Sequence, residues 1–278
     1  MVTTLANFIV RHPRLFVLAG AGLSTASGIP DYRDERGEWK HSKPMDYREF
    51  AARHEARQRY WARSCIGWPR FQRAQPNAAH RALARLEALG RVAVTVTQNV
   101  DGLERRAGSR RVIQLHGSLD EVACLACGAV LAREAMQRGL LAANPELPLL
   151  SAGPRPDGDA DLRAYGTAGM RVPSCRDCGG ILKPQVVFFG ESVPAARVVA
   201  CFDALRDADA VLMLGSSLMV YSGFRFVREA ARIGLPIAAV NLGATRADSL
   251  FDLKLQQDCG AALDAALDEL GLAAADIA

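Results

Sequence analysis

The sequence predicts an α/β fold in which a doubly wound parallel sheet carries a small second domain formed by two insertions. Three observations predict it. Compact apolar runs alternate with helix-like stretches along most of the 278 residues, the pattern of parallel strands joined by crossover helices. A glycine-rich turn, Gly20-Ala21-Gly22, follows the first apolar run directly. Four of the seven cysteines form two Cys-x-x-Cys pairs inside a stretch that breaks the alternation.

Taken in order, Leu15–Ala19 reads as the first strand, apolar throughout. Asn77–Leu89 reads as a helix: Asn77 caps it, Leu83, Leu86 and Leu89 share a face, and Gly90 stops it. Arg91–Thr97 and Arg111–Leu115 are strands, as are Ala210–Leu214 and Pro236–Val240, with a helix over Gly223–Ile233 between the last two. Ala261–Ala278 reads as a closing helix with a frayed end. Two stretches lack this rhythm. Asp34–Arg73 is rich in charge and tryptophan, and Cys124–Cys178 holds the cysteine pairs around a Pro/Gly/Asp-rich middle, Asn144–Asp161.

Half of the residues are hydrophobic and the net charge is only +4, so a large core is within reach and direct nucleic-acid binding is not expected. No apolar run approaches the ~18 to 20 residues of a membrane span. Leu15–Ala19 is too short for a signal core, which points to a cytoplasmic, reducing compartment, where paired cysteines bind metal rather than form disulfides. Cys124, Cys127, Cys175 and Cys178 supply four thiolates, a closed set for one structural Zn²⁺ with no open position for chemistry. A redox pair needs one Cys-x-x-Cys, not two. A simple zinc ribbon would not have 47 residues between its pairs or so much α/β sequence around it. Cys65 and Cys201 lie in helix-like stretches and read as packed cysteines. The predicted division is therefore a Rossmann-like domain of residues 1–33, 76–120 and 183–278, with a helical insertion, 34–75, and a zinc-binding insertion, 121–182.

Glycines after a strand let the backbone approach a pyrophosphate. The loop is not Gly-x-Gly-x-x-Gly, because Thr25 stands at the third glycine, and on spacing alone a plain tight turn serves as well. His116 ends a strand, where imidazole can take a proton near neutral pH. His12, His41, His54 and His80 have no such context and read as surface residues. Asn99 and Asp101 follow the Arg91–Thr97 strand, at the edge where doubly wound sheets bind ligands; one of them also suits a helix N-cap.

The longer string Gly20-Ala-Gly-Leu-Ser24-Thr-Ala-Ser-Gly28-Ile-Pro30-Asp-Tyr-Arg33 resembles the opening motif of the sirtuins. In order there follow Thr97-Gln-Asn-Val-Asp-Gly-Leu103, Leu115-His-Gly-Ser118, both cysteine pairs, Lys183-Pro-Gln-Val-Val-Phe-Phe-Gly-Glu191, Gly215-Ser-Ser-Leu-Met-Val220 and Val240-Asn-Leu-Gly243. Arg57-Gln-Arg-Tyr-Trp-Ala-Arg63 and Gly67-Trp-Pro69 look like the class II branch, which includes a mitochondrial member associated with lipoyl-lysine removal and ADP-ribosyl transfer.

The resemblance implies an NAD-dependent protein lysine deacylase acting on an acylated lysine of a protein. The acyl oxygen attacks the nicotinamide ribose, nicotinamide leaves, and O-acyl-ADP-ribose forms, with His116 as general base and Asn99 and Asp101 beside it. It places NAD against Gly20, Ala21, Gly22, Ser24, Thr25, Ile29, Pro30, Asp31, Tyr32, Arg33, Gln98, Val100, Gly215, Ser216, Ser217, Asn241, Leu242, Gly243 and Cys259, besides Asn99, Asp101 and His116. Asp101 would grip the nicotinamide amide, Tyr32 would shield the sugar carbon, and Arg33 would bind phosphate or order its loop. Val187, Phe188, Phe189 and Gly190 would bind the substrate peptide, while on their residues alone Val187–Phe189 read as a buried strand. Tyr60 and Arg63 have the Tyr/Arg spacing that marks desuccinylating sirtuins, but a different setting. The alternatives are a mono-ADP-ribosyltransferase, a long-chain or lipoyl lysine deacylase, an NAD-sensing module, and a dehydrogenase, the last opposed by the absent third glycine.

Overall fold

In the computed structural model, which describes residues 4–40, 43–147, 152–162 and 166–272, Leu15–Ala19 is strand β1 at the centre of a six-stranded parallel sheet. Its unit comprises Met1–His41, Gln75–Leu115 and Val193–Ala278. Numbered along the whole chain, its strands are β1, β2 (Val92–Thr97), β3 (Val112–Gln114), β9 (Ala210–Leu214), β10 (Ile237–Val240) and β11 (Leu253–Leu255). They lie in the order β11-β10-β9-β1-β2-β3. The chain thus winds outward one way from β1, then returns beside it to wind the other way. The reversal falls between β1 and β9, where doubly wound sheets hold ligands.

Both faces of this sheet are covered at its centre, which is why β1, β9 and β10 are apolar runs rather than alternating ones. Leu15, Val17 and Ala19 pack with α1 (Leu5–Arg11), α4 (Ala78–Ala88) and α9 (Cys259–Glu269), whereas Phe16 and Leu18 join the opposite cluster with Cys201 and Leu205 of α7 (Ala195–Arg206) and Phe226 of α8 (Tyr221–Arg232). Short α5 (Leu103–Arg106) follows β2. Leu83 and Leu86 are buried, but Leu89 is the C-cap of α4 and exposed.

The second unit comprises Ser42–Ala74 and His116–Ser192. Its sheet is antiparallel, in the order β5-β4-β8, built of β4 (Gly117–Cys124), β5 (Val130–Ala132) and β8 (Leu182–Val186). Residues 116–120 and 183–192, which the sequence assigns to the first domain, belong here because β4 pairs with β8. Residues 34–40 go the other way, into the first unit. The charged Asp34–Arg73 stretch supplies α2 (Tyr47–Ala52) and α3 (His54–Arg73).

Arg133, the first residue of α6 (Arg133–Ala143), is fully buried against α3. Its guanidinium lies 5.4 Å from the Trp61 ring and 4.8 Å from the Trp68 ring and donates to Ser64 and Gln137. A short ribbon, β6 (Pro154–Arg155) and β7 (Asp159–Ala160), also packs on α3. Gly67 permits it: a Cβ there would stand 2.4 Å from the Gly158 carbonyl oxygen. No helix among the described residues is long and apolar enough to cross a membrane.

Candidate functional site

β1 and β9 run in register, Ala19 beside Leu214, and their following loops touch. The Gly20 N–H donates to the Leu214 carbonyl at 3.0 Å and the Gly22 N–H to that of Gly215 at 2.8 Å. A Cβ on Gly20 would fall 2.7 Å from Ser216 Cβ, and one on Gly22 2.9 Å from Gly215 Cα. These glycines first serve the close approach of two loops. Leu218 holds φ +56, a left-handed conformation that a leucine rarely adopts, and its N–H donates to Ser216 Oγ. Gln98, following β2, donates to Ser216 Oγ at 2.9 Å.

A polar network lies at the same strand ends. Ser24 Oγ donates to Asp101 Oδ2 at 2.7 Å and accepts from Asn99 Nδ2 at 3.1 Å, which also donates to the Gly20 carbonyl. Asp101 Oδ1 accepts the Leu103 N–H, so Asp101 also caps the turn into α5. His80 Nε2 stands 3.5 Å from Ser24 Oγ. This histidine is fully buried, not a surface residue. Burial holds its pKa down at about 4, so it is neutral. The signal that finds it is Asn77 three residues earlier, the capping partner of α4. His54 is exposed, His12 is half-buried against the Phe8 ring, and His41 lies outside the described residues.

The loop after Pro30 is ordered by its own charges. Asp31 pairs with Lys40 at 2.6 Å. Arg33 donates to the Gly37 carbonyl at 2.6 Å, with its guanidinium 3.9 Å from the centre of the Trp39 ring. Ile29 and Val100 are buried, Thr25 donates to the Gly22 carbonyl, and Leu242 is exposed. Asn241 donates to the Gly243 carbonyl at 2.9 Å, and Gly243 sits where a Cβ would lie 2.6 Å from Glu35 Cα. Cys259 is buried at the start of α9, and burial pushes its thiol up to about 12.

In the second unit, His116 directly precedes β4, and its carbonyl accepts the Val187 N–H at 2.7 Å. Gly117 holds φ +86, and a Cβ there would lie 2.0 Å from the Gln185 carbonyl oxygen, so no other residue fits behind the histidine. The strand predicted at Val187–Phe189 is instead Leu182–Val186. The next residues leave it because Phe189 turns to α2, giving its carbonyl to the Tyr47 N–H at 2.8 Å. Of the four expected peptide-binding residues only Phe188 is buried, its ring 5.1 Å from those of Phe50 and Tyr60. Gly190 (φ +78) abuts Asp46. Arg63 pairs with Asp159 and donates to the Ala160 carbonyl.

The four cysteines of the pairs meet. Their sulfurs all lie within 4.8 Å of one another, with Cys124–Cys178 at 3.5 Å and Cys127–Cys175 at 3.7 Å. Tetrahedral zinc with bonds of about 2.3 Å sets sulfurs about 3.8 Å apart, so the set fits one ion. The Ala126 N–H points at Cys124 Sγ. Gly128 and Gly179 take positive φ in the two turns, and a Cβ on Gly180 would lie 2.7 Å from Cys124 Sγ.

A model of the Sir2 family matches residues 20–222. The chain belongs to the Sir2 family. A Sir2 relative from Bradyrhizobium diazoefficiens, named NAD-dependent protein deacetylase 2, is 57% identical over 260 residues, covering 94% of this chain and 95% of that one. A solved Sir2–p53 peptide–NAD⁺ complex matches with a TM-score of 0.77 at 29% identity, covering 96% of this chain and 97% of the other. Another Sir2 structure, holding an inhibitor, 2′-O-acetyl-ADP-ribose and deacetylated p53 peptide, matches at 0.76 and 29% identity, covering 95% and 97%. Within this Sir2 fold, the sequence reading missed His80, Trp39 and Glu104. Glu104 carries no local signal, since what makes it unusual is its burial.

Proposed function

We propose that the chain is an NAD-dependent protein lysine deacetylase. The observation that carries this is the meeting of Gln98, Asn99, Asp101, Ser24 and Ser216 at the reversal point of the sheet. That donor set suits a dinucleotide. It offers hydroxyls for phosphate and ribose, side-chain amides, and one carboxylate for the nicotinamide amide. The N–H groups of Ala21, Ser216 and Ser217 take no backbone acceptor among the described residues, as a phosphate-binding loop requires. The name of the Bradyrhizobium relative and the NAD⁺ and acetyl-ADP-ribose complexes of other Sir2 proteins support the same reading.

NAD, when bound, supplies an electrophilic ribose carbon with nicotinamide as leaving group. The loops after β1 and β9 hold its phosphates, and Asn241 and Gly243 receive the adenosine ribose. Gln98 and Asn99 orient the second ribose, Asp101 holds the nicotinamide amide, and Tyr32 shields the reacting carbon. His116 would take a proton from a ribose hydroxyl of bound NAD, and with the one water that the overall reaction consumes the products would be nicotinamide, O-acyl-ADP-ribose and free lysine. Val187–Gly190 binds the substrate peptide. One zinc ion holds the turns at Cys124–Cys127 and Cys175–Cys178 and takes no part in the chemistry. The class II reading rests on α3, whose Arg-Tyr-Trp and Gly-Trp-Pro runs enclose Arg133. On this reading the acyl group is neutral, because Arg63 is already paired with the half-buried Asp159.

The test is mass spectrometry of peptides carrying acetyl, longer fatty acyl, succinyl and lipoyl lysine, incubated with NAD and either the native protein or His116→Ala. Acyl loss matched by nicotinamide release and absent in the variant is expected, with succinyl lysine untouched. ADP-ribose on protein without acyl loss would overturn the reading in favour of a transferase.

A further inference from the structure

Glu104 is a buried carboxyl group for which the proposed reaction has no use. It is 1% exposed at the start of α5, and neither of its oxygens has a hydrogen-bond partner among the described residues. An ionised carboxylate in such a place lacks the donors that would hold its charge, whereas a carboxylic acid needs only an acceptor. The acceptor is close. His80, Asp101 and Glu104 each offer an atom within 4.8 Å of the others. Asp101 already receives Ser24 O–H and Leu103 N–H, one on each oxygen. Two carboxyl groups this close, one of them fully buried, do not readily both ionise. Asp101, with two donors, keeps the charge.

We propose that Glu104 carries a proton directed at Asp101 and thereby acts as a positioning residue for the Ser24–Asn99–Asp101 network. The groups facing it are Asp101 from the loop after β2, Thr97 from β2, His80 from α4 and Arg105 beside it on α5. Burial and the Asp101 charge push its pKa up to about 7; the Thr97 hydroxyl and its own backbone N–H, both outside hydrogen-bond geometry, and Arg105 oppose them. Loss of the proton places a second negative charge against Asp101 and disturbs the oxygen that Ser24 holds. Affinity for NAD then falls as pH rises through neutrality. This part rests on the proposed NAD site; the proton itself does not.

The test compares the zinc-loaded protein with Glu104→Gln, which keeps the shape and a donor but cannot ionise. By titration calorimetry, the native NAD dissociation constant is expected to rise about fivefold between about pH 6 and pH 8.5, and that of E104Q less than twofold. Without NAD, the melting temperature of E104Q relative to the native protein is expected to climb by about 4 °C between about pH 5 and pH 8. A constant gap overturns the proposal. So does a second divalent ion per chain that E104Q loses, since a metal would then occupy the cluster. If neither protein binds NAD, the NAD reading fails while the melting series still reports the proton. Should E104Q not fold, carbon NMR of labelled glutamate in the native protein decides: one carboxyl titrating near neutrality supports the proposal, and none doing so overturns it.

Discussion

Asn77 and His80 close on each other across the first turn of α4. The His80 backbone N–H donates to the Asn77 side-chain oxygen at 3.4 Å, and the Asn77 N–H donates to His80 Nδ1 at 3.3 Å. Nδ1 is therefore an acceptor, and the ring hydrogen sits on Nε2, facing Ser24. A helix cap thus sets the tautomer of a group in the polar network.

The first prediction concerns acid. The folded pKa of His80, about 4, lies below the ordinary 6.5. The unfolded chain therefore binds the extra proton first. The stability that neutral His80 contributes is complete above pH 6.5 and lost as pH falls toward 4, about 2 kcal/mol of it by pH 5. His80→Gln cannot lose this contribution. Its deficit against the native protein in urea unfolding should therefore shrink by about 2 kcal/mol between pH 7 and pH 5. A constant deficit would show that His80 takes up its proton as readily in the fold as in the unfolded chain.

The second concerns Gly215. Its φ is +59, and a Cβ would lie 2.4 Å from Leu23 N and 2.6 Å from Gly22 C, both backbone atoms. Gly215→Ala must push β9's loop away from β1's. A loss of about 2 to 4 kcal/mol is expected, with nucleotide affinity falling further than stability alone explains. Gly28→Ala is the control, because its φ is +80 but no atom lies within 4 Å of the added carbon. It should cost about 1 kcal/mol. Equal losses would remove the close-approach argument.

Much of the site was legible because its signals are local. Leu15–Ala19 and Ala210–Leu214 are apolar throughout because helices cover both sheet faces, and their bounds match the strands. The cysteine pairs announce themselves by spacing. What escaped depends on distant partners. The strand ends at Val186 because Tyr47, far away in sequence, claims the Phe189 carbonyl. The first unit ends at Leu115 rather than running on through residue 120, because β4 and β8, widely separated in the chain, pair with each other. Trp39 gave no sign that it carries Arg33.

Zinc removal gives the third prediction. Beyond the end of the β4–β8 pairing at Cys124 and Leu182, the described residues join the turn at Cys175–Cys178 to the turn between β4 and β5 through the four sulfurs and the Leu125–Ile181 backbone hydrogen bond. Metal analysis should find one zinc per chain. Cys175→Ser or a strong chelator should abolish it and lower the melting temperature by roughly 5 °C or more. Cys201→Ser, at a cysteine packed in α7, should leave zinc content unchanged. Full zinc content in the Cys175 variant would exclude this donor set.

The last prediction concerns Arg133. Burial lowers its pKa to about 10, still far above neutrality, so a cation sits between Trp61 and Trp68 with hydroxyl, carbonyl and amide partners. The indole faces supply part of what a carboxylate would otherwise give. Arg133→Lys keeps the charge but cannot bridge Ser64 and Gln137 with a planar fork. Arg133→Met fills the space yet leaves those groups without their donor. Both should lose about 2 to 4 kcal/mol in urea unfolding, and both should change tryptophan emission, because the cation leaves the rings or moves over them. If Met proves as stable as Arg, the cation is an electrostatic burden that packing alone can replace. If Lys proves as stable, charge rather than the planar fork holds α3 to α6.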